Sequence, residues 1–141
     1  ISCSLVGSEM CIRDRYCKEQ DIPAVISVDK NIRGLTQMEL CCVLGNLLDN
    51  AIEAELKLSK AQRKIEIKIV MIEEVLDILI RNRIAEPVLQ DVQNVKNIGT
   101  TKQDTGNHGF GLKNVREIVK KYDGFMDLYE DSGCFCVHIR I

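Results

Sequence analysis

Thr36 to Leu58 reads TQMELCCVLGNLLDNAIEAELKL, and two patterns are superimposed on it. Thr36 and Glu39 make a Thr-x-x-Glu capping box, in which the hydroxyl accepts from the third backbone N–H and the carboxylate reaches back to the cap. A helix is predicted from about Thr36. Leu40, Val43, Leu47, Ala51 and Ala54 recur at helical spacing, so it is expected to run to about Leu58 with one face in a core. Asn46, Asn50 and Glu53, at i, i+4 and i+7, fall in one narrow arc at about 100° per residue. A solvated face is the plain reading of such an arc. Residue choice argues for more, because Asn is disfavoured in a helix interior where Lys, Glu or Gln would serve solvation better. Two Asn one turn apart suggest a ligand. A side-chain amide oxygen is a hard, neutral donor suited to one position around Mg²⁺, the others going to phosphate oxygens and water.

Working outward, Ile22 to Val28 (IPAVISV) is β-branched and apolar and predicts a strand, with turn residues from Asp29 to Gly34. Downstream, Lys64 to Met71 (KIEIKIVM) and Val75 to Asn82 (VLDILIRN) predict an antiparallel hairpin turning at Ile72 to Glu74. The alternation in IEIKI implies one face in water. From Ala85 to His108 no periodicity is sustained, and the segment ends in the polar stretch NIGTTKQDTGNH. A connection of that length in a compact domain is usually a functional lid or disordered. A second helix is expected over Leu112 to Tyr122, with Leu112, Val115, Ile118 and Val119 as its apolar stripe and basic Lys120 and Lys121 at its negative end. Phe125 to Tyr129 and Cys134 to Ile141 predict a final antiparallel pair.

The turn into the second helix is Gly106-Asn107-His108-Gly109-Phe110-Gly111-Leu112. Glycines let backbone N–H groups approach closely, and the free amides and positive dipole end of a helix favour phosphate. The turn is no Walker loop, since no Gly-Lys-Ser/Thr follows, and no dinucleotide fingerprint, since no parallel βαβ unit surrounds it. Taken alone it is equally an ordinary connection. Thr100, Thr101 and Lys102 in the preceding loop offer hydroxyls and an ammonium to close over phosphates, or simply a polar loop.

Length and composition bound these readings. A chain of 141 residues holds one domain with a real core. Hydrophobic residues make up 45% and charged residues 28%, with no Trp, as in an ordinary globular domain. The net charge of −2 supplies no basic field for nucleic acid or an anionic membrane surface, so any anion must be bound locally. No apolar run approaches the roughly 20 residues of a membrane helix. The seven cysteines show no zinc-type CxxC spacing and no secretory leader precedes them. They are read as reduced, buried thiols in the cytosol. The first fifteen residues, ISCSLVGSEMCIRDR, lack periodicity and capping logic. SLVGSEMCIRDR resembles a translated sequencing adapter. Residues 1–15 are therefore expected to be a non-native leader that packs against nothing, ahead of a domain over 16–141.

With both motifs in place, LGNLLDNAIEA (Leu44 to Ala54) resembles the N box of the GHKL superfamily, which groups gyrase, heat-shock chaperone ATPases, histidine kinases and MutL. HGFGLKNVREIVKKYDG (His108 to Gly124) resembles its second glycine box and the helix that follows. The resemblance spans about Tyr16 to Ile141. It comes nearest to the sensor kinases of peptide quorum-sensing type, where a segment like IGTTK (98–102) also precedes the glycine box. It implies an α+β Bergerat fold: a two-layer α/β sandwich whose mixed, mostly antiparallel sheet is covered by helices on one face, with ATP between the N-box helix and a lid.

The same resemblance implies that Asn50 coordinates Mg²⁺ and that Asn46, the candidate catalytic residue, sits near the phosphates. Gly109 and Gly111 would expose amides to the phosphates, with Phe110 and Leu112 in the same box. Thr101, Lys102 and His108 would be lid contacts. Where the family's first glycine box, Asp-x-Gly-x-Gly, should follow the hairpin's second strand, the chain has Asn82, Arg83, Ile84, Ala85 and Glu86. Asn82 would then receive the adenine amino group through a neutral amide oxygen, a weaker acceptor than a carboxylate. The implied function is a cytoplasmic catalytic domain that passes the γ-phosphoryl group of ATP to a histidine on separate dimerisation helices, for onward transfer to a response regulator. His108, in the lid, and His138, in the last strand, do not resemble acceptor sites. The alternative is a degenerate GHKL module that binds nucleotide or docks a partner without kinase activity.

Overall fold

The computed structural model describes residues 8–87 and 108–141, with side chains described for 11–87 and 111–141. Its elements are α1 (Ser8–Glu19), β1 (Ala24–Val28), α2 (Gln37–Leu56), β2 (Ile65–Ile72), β3 (Val75–Arg83), α3 (His108–Lys121), β4 (Phe125–Asp131) and β5 (Cys134–Arg140). The strands form one sheet in the order β1-β2-β3-β5-β4. β1 and β2 are parallel, joined by the α2 crossover, and every other pair is antiparallel. The mixed sheet with helices on one face is the architecture expected from the sequence.

Local chemistry explains most boundaries. Thr36 caps α2 through the predicted box: Glu39 N–H donates to its hydroxyl at 3.1 Å and its own N–H donates to the Glu39 carboxylate at 3.0 Å. The β4–β5 loop is Ser132-Gly133, both at positive φ (51° and 74°), the two-residue turn that matches strand twist and for which glycine suits the second position. At Gly124 a side chain is barred by space, since a Cβ there would lie 2.6 Å from the Arg140 carbonyl oxygen.

Core residues alternate along the strands, with Ile65, Ile67 and Ile69 on β2, Leu76, Ile78 and Ile80 on β3, and Val137 and Ile139 on β5. They pack against Leu40, Val43, Leu47 and Ala51 of α2 and against Leu112, Val115 and Val119 of α3. The opposite face of the sheet mixes polar residues with Val70, Leu79 and Cys136. There Asp77 accepts from His138 Nε2 at 2.8 Å and Arg140 Nε at 3.1 Å.

Three expectations are corrected. Helix α2 does not bury a single stripe: Leu44, Gly45, Leu48, Ile52 and Glu55 are buried as well, because α2 has the sheet below and a helix on each flank. Residues from Ser8 onward are not loose. They form α1, whose Arg13 donates to Asp49 through Nε at 2.9 Å and its terminal nitrogen at 3.1 Å, a bidentate pair that leaves no apolar periodicity to read. Among the described cysteines, Cys17, Cys41, Cys42, Cys134 and Cys136 are free, as expected, but Cys11 is disulfide-bonded.

Candidate functional site

The site is built on α2 and on the elements held at its two ends. At its N-terminal end, Glu39 accepts from Lys121 Nζ at 2.6 Å and from the Tyr122 hydroxyl, which binds the last turn of α3 beside the first turn of α2. Lys121, Tyr122 and the capping hydrogen bonds hold the Glu39 carboxyl down at about 2, from an ordinary 4.5. Further along the same flank, a Cβ on Gly111 would lie 3.1 Å from Asn46 Oδ1. Tyr122 near Glu39 and Gly111 near Asn46 mean that α3 runs antiparallel to α2, with its N-terminus directed toward the Asn46 and Asn50 turn.

Asn46 is oriented for this meeting. Its Nδ2 donates to the Cys42 carbonyl at 2.8 Å, which turns Oδ1 toward α3. The glycine sequence is not a turn before the helix, as predicted, but its first turn, since α3 begins at His108. The backbone N–H groups of His108, Gly109, Phe110 and Gly111 are thus the four that have no acceptor inside the helix. Together with the helix dipole they present an end suited to an anion. Any side chain at Gly111 would push Asn46 aside. The Leu112 side chain is buried in the core, which leaves its backbone as the part able to meet a ligand.

Asn50 is half-buried one turn beyond Asn46. Glu53 keeps the expected arc but faces the other flank: it is exposed, and with Tyr16, Asp49 and Ile52 it lines a groove of about 620 Å³ between α1 and α2. The arc divides because α3 occupies one flank of α2 and α1 the other. Thr100, Thr101 and Lys102, with the expected lid from Asp91 onward, lie outside the described residues.

At the C-terminal end of α2 the sheet supplies the partner. Asn82 is buried on the helix-covered face of β3, 4% exposed, and its Nδ2 donates to the Arg83 carbonyl at 3.1 Å. Glu55, fully buried, accepts the backbone N–H of Lys64 at 2.8 Å and that of Arg83. Arg63 caps the end of the helix, with Nε donating to the carbonyls of Glu55 at 3.1 Å and Leu58 at 3.2 Å and a terminal nitrogen to that of Gln20 at 2.6 Å. The sequence reading missed Glu55 and Arg63. For Glu55 a signal existed: it lies four residues after Ala51, on the apolar stripe, where a carboxylate has no business unless it is hydrogen-bonded. Arg63 carried none, because its partners are main-chain oxygens.

The profile of the GHKL domain family matches residues 35–141, and the chain belongs to that family. The sensor histidine kinase DpiB of Escherichia coli (strain K12) is 28% identical over 107 residues, covering 72% of this chain and 19% of that protein. The chain thus spans about a fifth of this relative's length. Among solved structures, the nucleotide-free catalytic domain of histidine kinase ThkA superposes with a TM-score of 0.79 at 18% identity, covering 98% of this chain and 91% of the other. The mycobacterial sensor histidine kinase MprB gives 0.69 at 17% identity, covering 94% and 93%. The fold is that of histidine kinase catalytic domains.

Proposed function

We propose that this chain is the ATP-binding catalytic domain of a sensor histidine kinase, with 16–141 as its functional unit, acting in the cytoplasm on a phosphoacceptor histidine carried by separate, dimeric helices. The observation that carries the proposal is the meeting of the two motifs: Gly111, in the first turn of α3, lies so close to Asn46 of α2 that a Cβ there would stand 3.1 Å from the Asn46 Oδ1. Phosphates seated at the α3 N-terminus would be held by its free amides, beside the Asn46 and Asn50 side chains.

Among the described residues no group of three or more His, Cys, Asp or Glu could hold a metal. The Asn50 amide offers one hard oxygen beside the anion-binding end, which fits Mg²⁺ that takes its remaining ligands from phosphate and water. The ion would supply charge neutralisation on the transferring group. The protein's own part is positioning: α3 amides orient the phosphates, Asn82 orients the base, and the γ-phosphoryl group is left facing an incoming imidazole. His138 is committed to Asp77, which supports an acceptor supplied by other helices. The response regulator downstream follows from the same reading, and the peptide quorum-sensing branch rests on the IGTTK segment.

A regulatory nucleotide-binding module without kinase activity is favoured by one feature, the missing glycines after Asn82. Calorimetric titration tests the main reading. ATP is expected to bind more tightly with Mg²⁺ than without, and Asn50→Ala to abolish that increment. Equal binding by variant and parent under both conditions would overturn the metal assignment. Phosphotransfer to added acceptor helices separates kinase from module.

A further inference from the structure

We infer that Glu55 is a positioning residue for nucleotide binding: its buried carboxylate fixes the end of β3 that carries Asn82 against the helix that carries Asn46 and Asn50. The inference rests on the reading of Asn82 as the residue that meets the base.

The geometry is specific. One carboxylate oxygen takes the N–H of Lys64, at the entrance to β2, and the other takes that of Arg83, at the exit of β3. These two strand ends are neighbours, since Ile65 pairs with Asn82 in the antiparallel ladder. Glu55 therefore takes up both N–H groups where that ladder ends. The N–H of Arg83 belongs to the same peptide plane as the Asn82 carbonyl. Holding that plane fixes the backbone next to the Asn82 Cα, and with it the direction in which the Asn82 side chain leaves the strand. The amide of Asn82 is further tied to the Arg83 carbonyl. From Asn46 to Glu55 is about 13 Å along the helix at 1.5 Å per residue, a span suited to a nucleotide with its phosphates at one end and its base at the other.

Packing alone does not require a carboxylate here. Leu or Met at position 55 would fill the same space against the sheet without burying a charge. Desolvation pushes the Glu55 carboxyl above its ordinary value, against the two N–H groups and the charges of Arg83 and Arg63 that lower it. A group disfavoured in its charged form is kept where it alone meets two peptide N–H groups from different strands.

The test uses the full chain with Glu55→Met, which keeps the volume and removes both acceptors, and Glu55→Gln, which keeps one. ATP and GTP are titrated with and without Mg²⁺ at a temperature where circular dichroism shows each variant folded. The Met variant is expected to lose about tenfold in its preference for ATP over GTP, the loss of roughly one hydrogen bond to the base. The Mg²⁺-dependent increment, which reads Asn50, is expected to stay near the parent's. The Gln variant should fall between, and it carries the same comparison if the Met variant does not fold. A merely structural role would lower the melting temperature and leave base preference intact, and a folded variant with the parent's preference overturns the inference alone. A parent that binds ATP and GTP equally overturns the base-reading role of Asn82, and the inference with it.

Discussion

Two glutamates stand near the ends of one helix and solve opposite problems. Glu39 lies at the N-terminal end of α2 among cationic and hydroxyl partners, and its carboxyl is held down at about 2. Glu55 lies at the C-terminal end, fully buried, its oxygens used by main-chain N–H groups and its carboxyl pushed up by desolvation. The first fastens a helix to a helix through side chains, the second a helix to a sheet through the backbone. Each end delivers part of the site. Through α3, the Glu39 end brings Gly111 to Asn46, and the Glu55 end fixes the strand that carries Asn82. On the proposed function, identical side chains thus support a phosphate end and a base end.

The largest effect should come from removing the buried partner. Glu55→Met leaves the N–H groups of Lys64 and Arg83 without their acceptor, and each such loss is worth on the order of 1–3 kcal/mol. Relief of the buried charge offsets part of this. Chemical denaturation is expected to show a clear fall in unfolding free energy, well beyond any change from Glu39→Gln. Equal stability of the two variants would break the contrast between a main-chain tie and a surface clamp.

Next in size is the base end itself. Asn82→Leu is expected to weaken ATP binding by on the order of 1–3 kcal/mol, since the amino group of the base would meet no acceptor. Asn82→Asp should bind ATP as well as the parent or better, a carboxylate being the stronger acceptor. Full ATP affinity in the Leu variant, with GTP still rejected, would move base recognition away from β3 and leave Glu55 holding only the fold.

The phosphate end is probed more gently by Gly111→Ala. Alanine favours a helix interior over glycine by up to about 1 kcal/mol, yet the added Cβ would stand 3.1 Å from Asn46 Oδ1. The two effects separate in the readouts. The melting temperature should hold or rise while ATP affinity drops a few-fold as Asn46 is displaced. A simultaneous gain in both would show that Asn46 does not need its present orientation.

How much of this could be read beforehand followed the range of each interaction. Thr36 and Glu39, and likewise Asn46 and Asn50, lie about one helical turn apart, so spacing along the chain showed each pair. The strands, the hairpin and the glycine-led helix were legible for the same reason. That Gly109 to Gly111 form the first helical turn was missed, because glycine weakens any helix prediction. Helix α1 was missed too, since it gives only Cys17 to the core cluster and its Arg13–Asp49 pair joins residues far apart in sequence. The bond from Glu55 to Arg83 crosses 28 positions, and no local pattern encodes it. Glu53 shows the converse: its helical arc was right, but which flank of α2 it faces depended on where α1 and α3 came to rest.

The smallest effect is also the most direct contrast between the glutamates, because their titrations oppose each other. Glu39 is lowered from 4.5 to about 2, so folding favours its charged form. The stability it contributes is fully present above about pH 4.5 and is lost as pH falls through about 2. Glu55 is raised, so folding favours its protonated form, and the stability linked to that proton is lost as pH rises from 4.5 through its elevated value. Glu39→Gln and Glu55→Gln should therefore diverge from the parent in opposite senses. In melts between pH 2 and pH 7, the Glu39→Gln deficit should widen as pH rises and close toward pH 2. Lys121 is exposed in the last turn of α3, so this deficit should also shrink in high salt. The deficit of Glu55→Gln should be greatest at low pH, where the parent carboxyl is neutral, and narrow as pH rises. Parallel curves for the two variants would mean that both carboxylates feel one environment, and the division of α2 into a clamped end and a buried end would fall.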